Sequence, residues 1–126
     1  METAAKHFRV IQDYRSPYPG PIIFHKGEQV VVGKEFSEDP DWRDWVWCEG
    51  QQGNKAWAPN QYLKTEAGRG VFQNEYNALE LSVSAGETLK VYEVVNGFAL
   101  AEKSNGKLGW VPLRNLSAIE SRPSEK

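Results

Sequence analysis

The feature that most restricts what this chain can fold into is a passage written twice. "WVWCEGQQGNKAWAP" at 45–59 returns as "FALAEKSNGKLGWVP" at 98–112 at a constant offset of 53, with Gly53 over Gly106, Trp57 over Trp110 and Pro59 over Pro112. Upstream, "FHKGEQVVV" at 24–32 matches "VSAGETLKV" at 83–91, pairing Gly27 with Gly86 and Glu28 with Glu87 at an offset of 59. The two offsets differ by six residues, which must lie between Val32 and Trp45, in the acidic stretch "GKEFSEDPDWRD". Self-similarity at a fixed spacing marks one structural unit used twice. The expected units are 6–64 and 69–118, joined by the short "KTEAGRG" at 64–70, with 119–126 as a flexible tail.

The unit is all-β. Strand-length blocks rich in β-branched and aromatic residues ("FRVIQDY", "EQVVVG", "DWVWCEG", "KAWAP", "TLKVYEVV", "FALAEK", "LGWVP") alternate with breakers such as "SPYPGP", "EGQQGN", "VNG" and "SNG". Nowhere does an apolar 3.6-residue period persist over the length of a helix. A unit this small builds only a modest core, so alternate residues Val10, Val30, Val32, Val46, Cys48 and Ala58 are expected to fill one barrel interior. Trp45 and Trp47 then share the opposite face and point outward.

Composition narrows the function. The 126 residues carry a formal net charge of -2, which gives no general attraction to nucleic acid or to anionic membrane. "METAAKHFRV" lacks the apolar core of a signal peptide and no apolar run approaches a membrane span, so a cytoplasmic location is expected. Cys48 is the single cysteine, which excludes an intrachain disulfide and suits a small buried residue. His7 and His25 stand apart and there is no Gly-rich phosphate loop or metal-ligand cluster. No catalytic set can be assigned, and no cofactor is expected.

Each copy resembles a Src-homology-3 (SH3) domain, a small five-stranded β-barrel. In the first copy "VIQDY" at 10–14 resembles the family's opening "ALYDY", "PIIFHKGE" at 21–28 its "ELSFKKGD", "WVWC" at 45–48 its double-tryptophan strand, and "APNQYL" at 58–63 its "FPSNYV". The second copy keeps "ELSVSAGE" at 80–87 and "GWVP" at 109–112. The resemblance implies two SH3-like barrels in tandem and a non-catalytic interaction module. Its partner would be a protein or peptide with a proline-rich, basic segment.

SH3 domains dock a polyproline II helix between aromatic ridges, because that helix is preformed and loses little entropy on binding. By position the ridges are Tyr14, Trp45, Pro59 and Tyr62, with Trp47 beside them. Gln12 replaces a further tyrosine, and Pro21 stands where the family has an acid facing a ligand arginine. Glu38, Asp39, Asp41 and Asp44 in the expanded loop are either a relocated acidic wall or a solvated charged loop. The prolines of "RSPYPGP" at 15–21 either stiffen a turn or close over the groove.

In the second copy Phe98 and Asn115 replace Trp45 and Tyr62, leaving Pro112 and Tyr76 as remnants of the groove. That copy is therefore expected to be mainly structural, with Trp110 serving packing or a contact between the copies. A different class of function also fits exposed rings: a sensor or reader in which Tyr14, Trp45 and Trp47 cage a cationic ligand or bind nucleic acid.

Overall fold

The computed structural model describes residues 6–17, 20–37 and 39–119, so Glu38 and nearly all of the expected tail lie outside the described residues. Among the described residues there is no α-helix. Twelve short strands run in chain order: β1 (Lys6–Val10), β2 (Ile23–Phe24), β3 (Gln29–Glu35), β4 (Trp45–Gly50), β5 (Lys55–Pro59), β6 (Leu63–Glu66), β7 (Arg69–Phe72), β8 (Tyr76–Asn77), β9 (Thr88–Val95), β10 (Phe98–Glu102), β11 (Leu108–Pro112) and β12 (Leu116–Ala118). Single 3₁₀ turns at Pro40–Trp42, Asn60–Tyr62 and Leu113–Asn115 interrupt them. The all-β reading and the two five-stranded units hold. Each sheet is an open run of strands rather than a closed ring.

The strand order runs across the two sequence units. One sheet runs β5-β4-β3-β7-β6 and the other β11-β10-β9-β1-β12. The opening strand of each sequence copy therefore lies inside the sheet of the other. β7 pairs with β3 (Val30↔Gly70) and with β6 (Leu63↔Phe72), while β1 pairs with β9 (Phe8↔Leu89) and β12 (Val10↔Leu116). A second exchange follows each first one, because Phe24 faces Tyr76 and Tyr14 bridges to Val83. The copies are two sequence units but not two separable bodies lying side by side.

The cause is the joint itself. Ala67 and Gly68 both have positive φ, at 53° and 79°. That is the signature of a type I′ turn, whose twist suits a tight two-residue hairpin. The turn folds β7 straight back onto β6, with Glu66 opposite Arg69, so β7 stays with the first sheet. Gly70 makes room for the inserted strand, since a Cβ there would lie 2.8 Å from Val32 Cγ2 and 3.2 Å from Leu63 Cδ2. The second sheet is then short of one strand, and β1 fills the space between β9 and β12.

Two cores result. The first gathers Phe24, Val30, Val46, Cys48, Ala58 and Phe72, with Val32 packed half-buried against it. Phe72 stacks on Phe24 at 4.7 Å between ring centroids, so an aromatic from the second sequence copy holds the first core. Val10, expected in that interior, instead belongs to the second core with Leu81, Leu89, Val91 and Val111. Burial pushes the Cys48 thiol up to about 12, in keeping with an inert core residue.

Two outcomes follow. Phe72→Ala should cost about 3 kcal/mol or more in urea unfolding, and hydrogen exchange should show lost protection in β3 and β6 of the other sequence copy. Ala67→Asn, a residue that tolerates the left-handed region, should stabilise by about 0.5–1 kcal/mol, read as a shift of the urea midpoint at unchanged slope.

Candidate functional site

β4 shows where alternation succeeds and where it stops. Val46 and Cys48 point inward against Ala56 and Ala58, and Trp45 and Trp47 take the other face, as the two-residue period requires. That face is not open at Trp45, which is only 6% exposed. Its ring stands edge-on to Phe98 at 5.2 Å and to Trp110 at 6.3 Å, and its Nε1–H donates to the Asn96 carbonyl at 2.9 Å. Phe98 is the counterpart of Trp45, so equivalent faces of the two copies press on each other. Trp47 is half-buried, edge-on to Trp57 at 5.3 Å, with its N–H donated to Glu49 at 2.9 Å.

The remaining ridges are likewise engaged. Pro59 is fully buried. Tyr62 meets Tyr76 edge-on at 5.5 Å and donates its hydroxyl to Glu93 at 3.2 Å. Burial, and then the neighbouring Glu93 charge, push its pKa up to about 12. The Asp44 carbonyl, on a residue with φ 69°, accepts the Asn60 N–H at 2.8 Å and Asn96 Nδ2 at 2.9 Å. Its counterpart is Gly97, whose carbonyl accepts the matching Leu113 N–H at 2.9 Å. A Cβ at Gly97 would run into the Asp41 carbonyl.

The acids of the inserted loop find a partner within the chain. Arg114 lies 2.8 Å from Asp39 and 3.3 Å from Asp41, and its guanidinium sits 4.2 Å from the centroid of the Trp42 ring. The Asp41 backbone N–H, more than Arg114, holds the Asp39 carboxyl below its ordinary range. Asp39 and Asp41 are thus fastened to the second copy, and Glu38 lies outside the described residues.

A different constellation opens where the copies meet. A cavity of about 200 Å³ is lined by thirteen residues drawn from both copies. Trp45, Tyr76, Phe98 and Trp110 are buried around it, whereas Tyr14, Phe36, Trp42 and Trp57 are partly exposed. Exposed Pro17 stands at its edge. Among the described residues Glu80 is its one acidic lining residue, and it accepts the Tyr14 hydroxyl at 2.7 Å. Of the eight described residues expected in a site, only Tyr14 and Trp45 line this cleft. Trp42, Trp57, Phe98, Trp110 and Glu80 were not foreseen as site residues, and Tyr76 only as a remnant. The signal for Tyr76 was present: "VIQDY" and "FQNEY" pair Val10 with Phe72 and Tyr14 with Tyr76 at a third offset, 62.

The variant SH3 domain family model matches residues 7–66 and again 72–119. The chain belongs to that family, as a tandem pair. SH3 domains are generally non-catalytic interaction modules that bind proline-rich peptides. No significant match was found among curated proteins or solved structures.

Trp45, expected to point outward, is buried by the second copy. Trp45→Ala should destabilise by about 3–5 kcal/mol in chemical denaturation, as large-to-small core changes do. Loss of Phe98 and Trp110 packing should show as altered near-ultraviolet circular dichroism.

Proposed function

We propose that this protein is a non-catalytic interaction module that takes a proline-containing segment of a partner protein into the cleft between its two copies. The observation that carries this reading is the convergence of aromatic rings from both copies on one cavity, with Tyr14, Phe36, Trp42 and Trp57 still partly exposed. Rigid rings at a concave mouth suit a preformed polyproline II helix, which brings little entropy to lose.

The groove moves accordingly. Trp45 and Pro59 are covered, so a ligand meets Trp42 of the inserted loop and the β5 Trp57 instead. The second copy is more than a support in this reading, since it supplies Tyr76, Glu80, Phe98 and Trp110 to the lining.

The test is a screen of proline-rich peptides followed by chemical-shift mapping. The strongest shifts are expected at Trp42, Trp57 and Tyr14 and at the Trp110 indole. Trp42→Ala should weaken binding by about 1–2 kcal/mol with the thermal midpoint shifted only slightly, in the manner of an interface anchor. Shifts confined to the outer faces of the sheets would overturn this placement, and binding to oligonucleotides in place of peptides would overturn the class of partner.

A further inference from the structure

The two copies treat one sheet edge differently, and the difference opens onto the cleft. In the second copy the segment 79–81 runs parallel to the edge strand β11: Trp110 N–H donates to the Leu79 carbonyl and Leu81 N–H to the Trp110 carbonyl, both at 2.9 Å. The matching pieces of the first copy are 20–22, at the offset of 59, and Trp57 on the edge strand β5, at the offset of 53. Among the described residues these two pieces do not make the matching bonds. Leu79 is buried, whereas its counterpart Gly20 is exposed, and a Cβ on Gly20 would meet nothing within 4 Å.

We infer that the backbone N–H of Trp57 is the docking point for a backbone carbonyl of the bound segment, and that this edge selects proline there because it offers a donor and no acceptor.

Three observations support this. First, the direction of the N–H follows from the ladder, since residues of an antiparallel strand alternate between bonding to the partner and pointing away from it. Gly50 N–H donates to the Asn54 carbonyl at 2.7 Å and Asn60 N–H to the Asp44 carbonyl at 2.8 Å. Cys48↔Ala56 and Val46↔Ala58 are therefore the bonded pairs, and Trp47↔Trp57 is not. The N–H and C=O of Trp57 point out of the sheet edge, as those of Trp110 do.

Second, only the donor is open. The Trp57 carbonyl already accepts the Tyr76 hydroxyl at 2.7 Å, while the N–H meets no acceptor among the described residues. A residue with a carbonyl and no N–H matches such an edge, and proline is that residue. Third, the place is right. Ile22, Ala56, Trp57 and Tyr76 all line the cleft, so the uncovered flank of β5 belongs to its wall. Main-chain bonds at an uncovered sheet edge commonly hold an extended peptide. The segment 79–81 shows, within the same chain, how such a bond is made.

This inference rests on the cleft being the binding site proposed above and adds what the backbone of the occupant must offer. The experiment separates the two. Amide hydrogen exchange and chemical shifts of the full chain are followed alone and with N-acetylated decaproline, a peptide without any N–H. A peptide of repeated Pro-Pro-Ala, whose alanines supply N–H groups, is the comparison.

In the free protein the Trp110 amide is expected to exchange about a hundredfold more slowly than the Trp57 amide. Saturating decaproline should slow Trp57 exchange by about tenfold or more and move its amide proton downfield, in step with the ring shifts of Trp42 and Tyr14. Tyr76→Phe releases the Trp57 carbonyl as an acceptor. It should shift the preference between the two peptides by about threefold or more towards Pro-Pro-Ala.

Ring shifts with the Trp57 amide unmoved would overturn the inference and leave the cleft reading standing. A Trp57 amide as protected as that of Trp110 in the free protein would overturn it before any ligand is added. An unchanged preference in Tyr76→Phe would overturn the selection of proline. Failure of every proline peptide to shift the cleft would remove the cleft reading and this inference together.

Discussion

Everything in this structure depends on a turn of two residues. Ala67 and Gly68 leave β6 no distance in which to part from β7, so the strand that opens the second sequence copy pairs where the first copy ends. A sheet of this family needs five strands, and once β7 is retained the second sheet must recruit its fifth from elsewhere. β1 satisfies it with the same bonding: Gly27 N–H donates to the Phe72 carbonyl at 2.7 Å and Phe72 N–H to the Glu28 carbonyl at 3.0 Å, while Gly86 N–H donates to the Val10 carbonyl and Val10 N–H to the Glu87 carbonyl, both at 2.8 Å. The exchange is reciprocal because the vacancy created on one side equals the strand surplus on the other.

The exchanged arms bring the binding faces of the two copies together. Two expected ridges become contact surface, and Asn115 finds a role. Buried at the position of Tyr62, it sends Nδ2 to the carbonyls of Gln12 and Asp13 at 3.1 and 3.2 Å, beside the bond its backbone carbonyl accepts from the Ile11 N–H at 2.8 Å. A tyrosine could not bind the crossing arm in this way. The six-residue insertion has a comparable role, since its 3₁₀ turn carries Trp42 and Asp41 across to Arg114.

Much of the fold was legible in the sequence because strand periodicity and turn chemistry are local. The repeat, the strand blocks and the inward set Val30, Val46, Cys48 and Ala58 are all properties of short stretches. The exchange was not legible, because alternation specifies which face a residue takes and not which strand lies beside it. Val10 faces inward in either arrangement, and only the partner differs. Trp45 shows the same limit: its face was read correctly, but what covers that face is set by the rest of the chain. Glu80 was seen only as part of "ELSVSAGE", since nothing local links it to Tyr14, sixty-six positions away.

The register of β1 has a consequence for how the chain is made. Phe8 pairs with Ala118 and Val10 with Leu116, so β1 leaves the ribosome well before the strand it pairs with. Domains ordinarily fold in order as they emerge. Here the first sheet cannot close before Arg69–Phe72 has appeared, and the second cannot close until β12 has, which leaves β1 waiting for its partners. Contacts of such sequence separation close slowly. The growing chain therefore holds β1, a five-residue β-strand, without its partners until β9 and then β12 have been made.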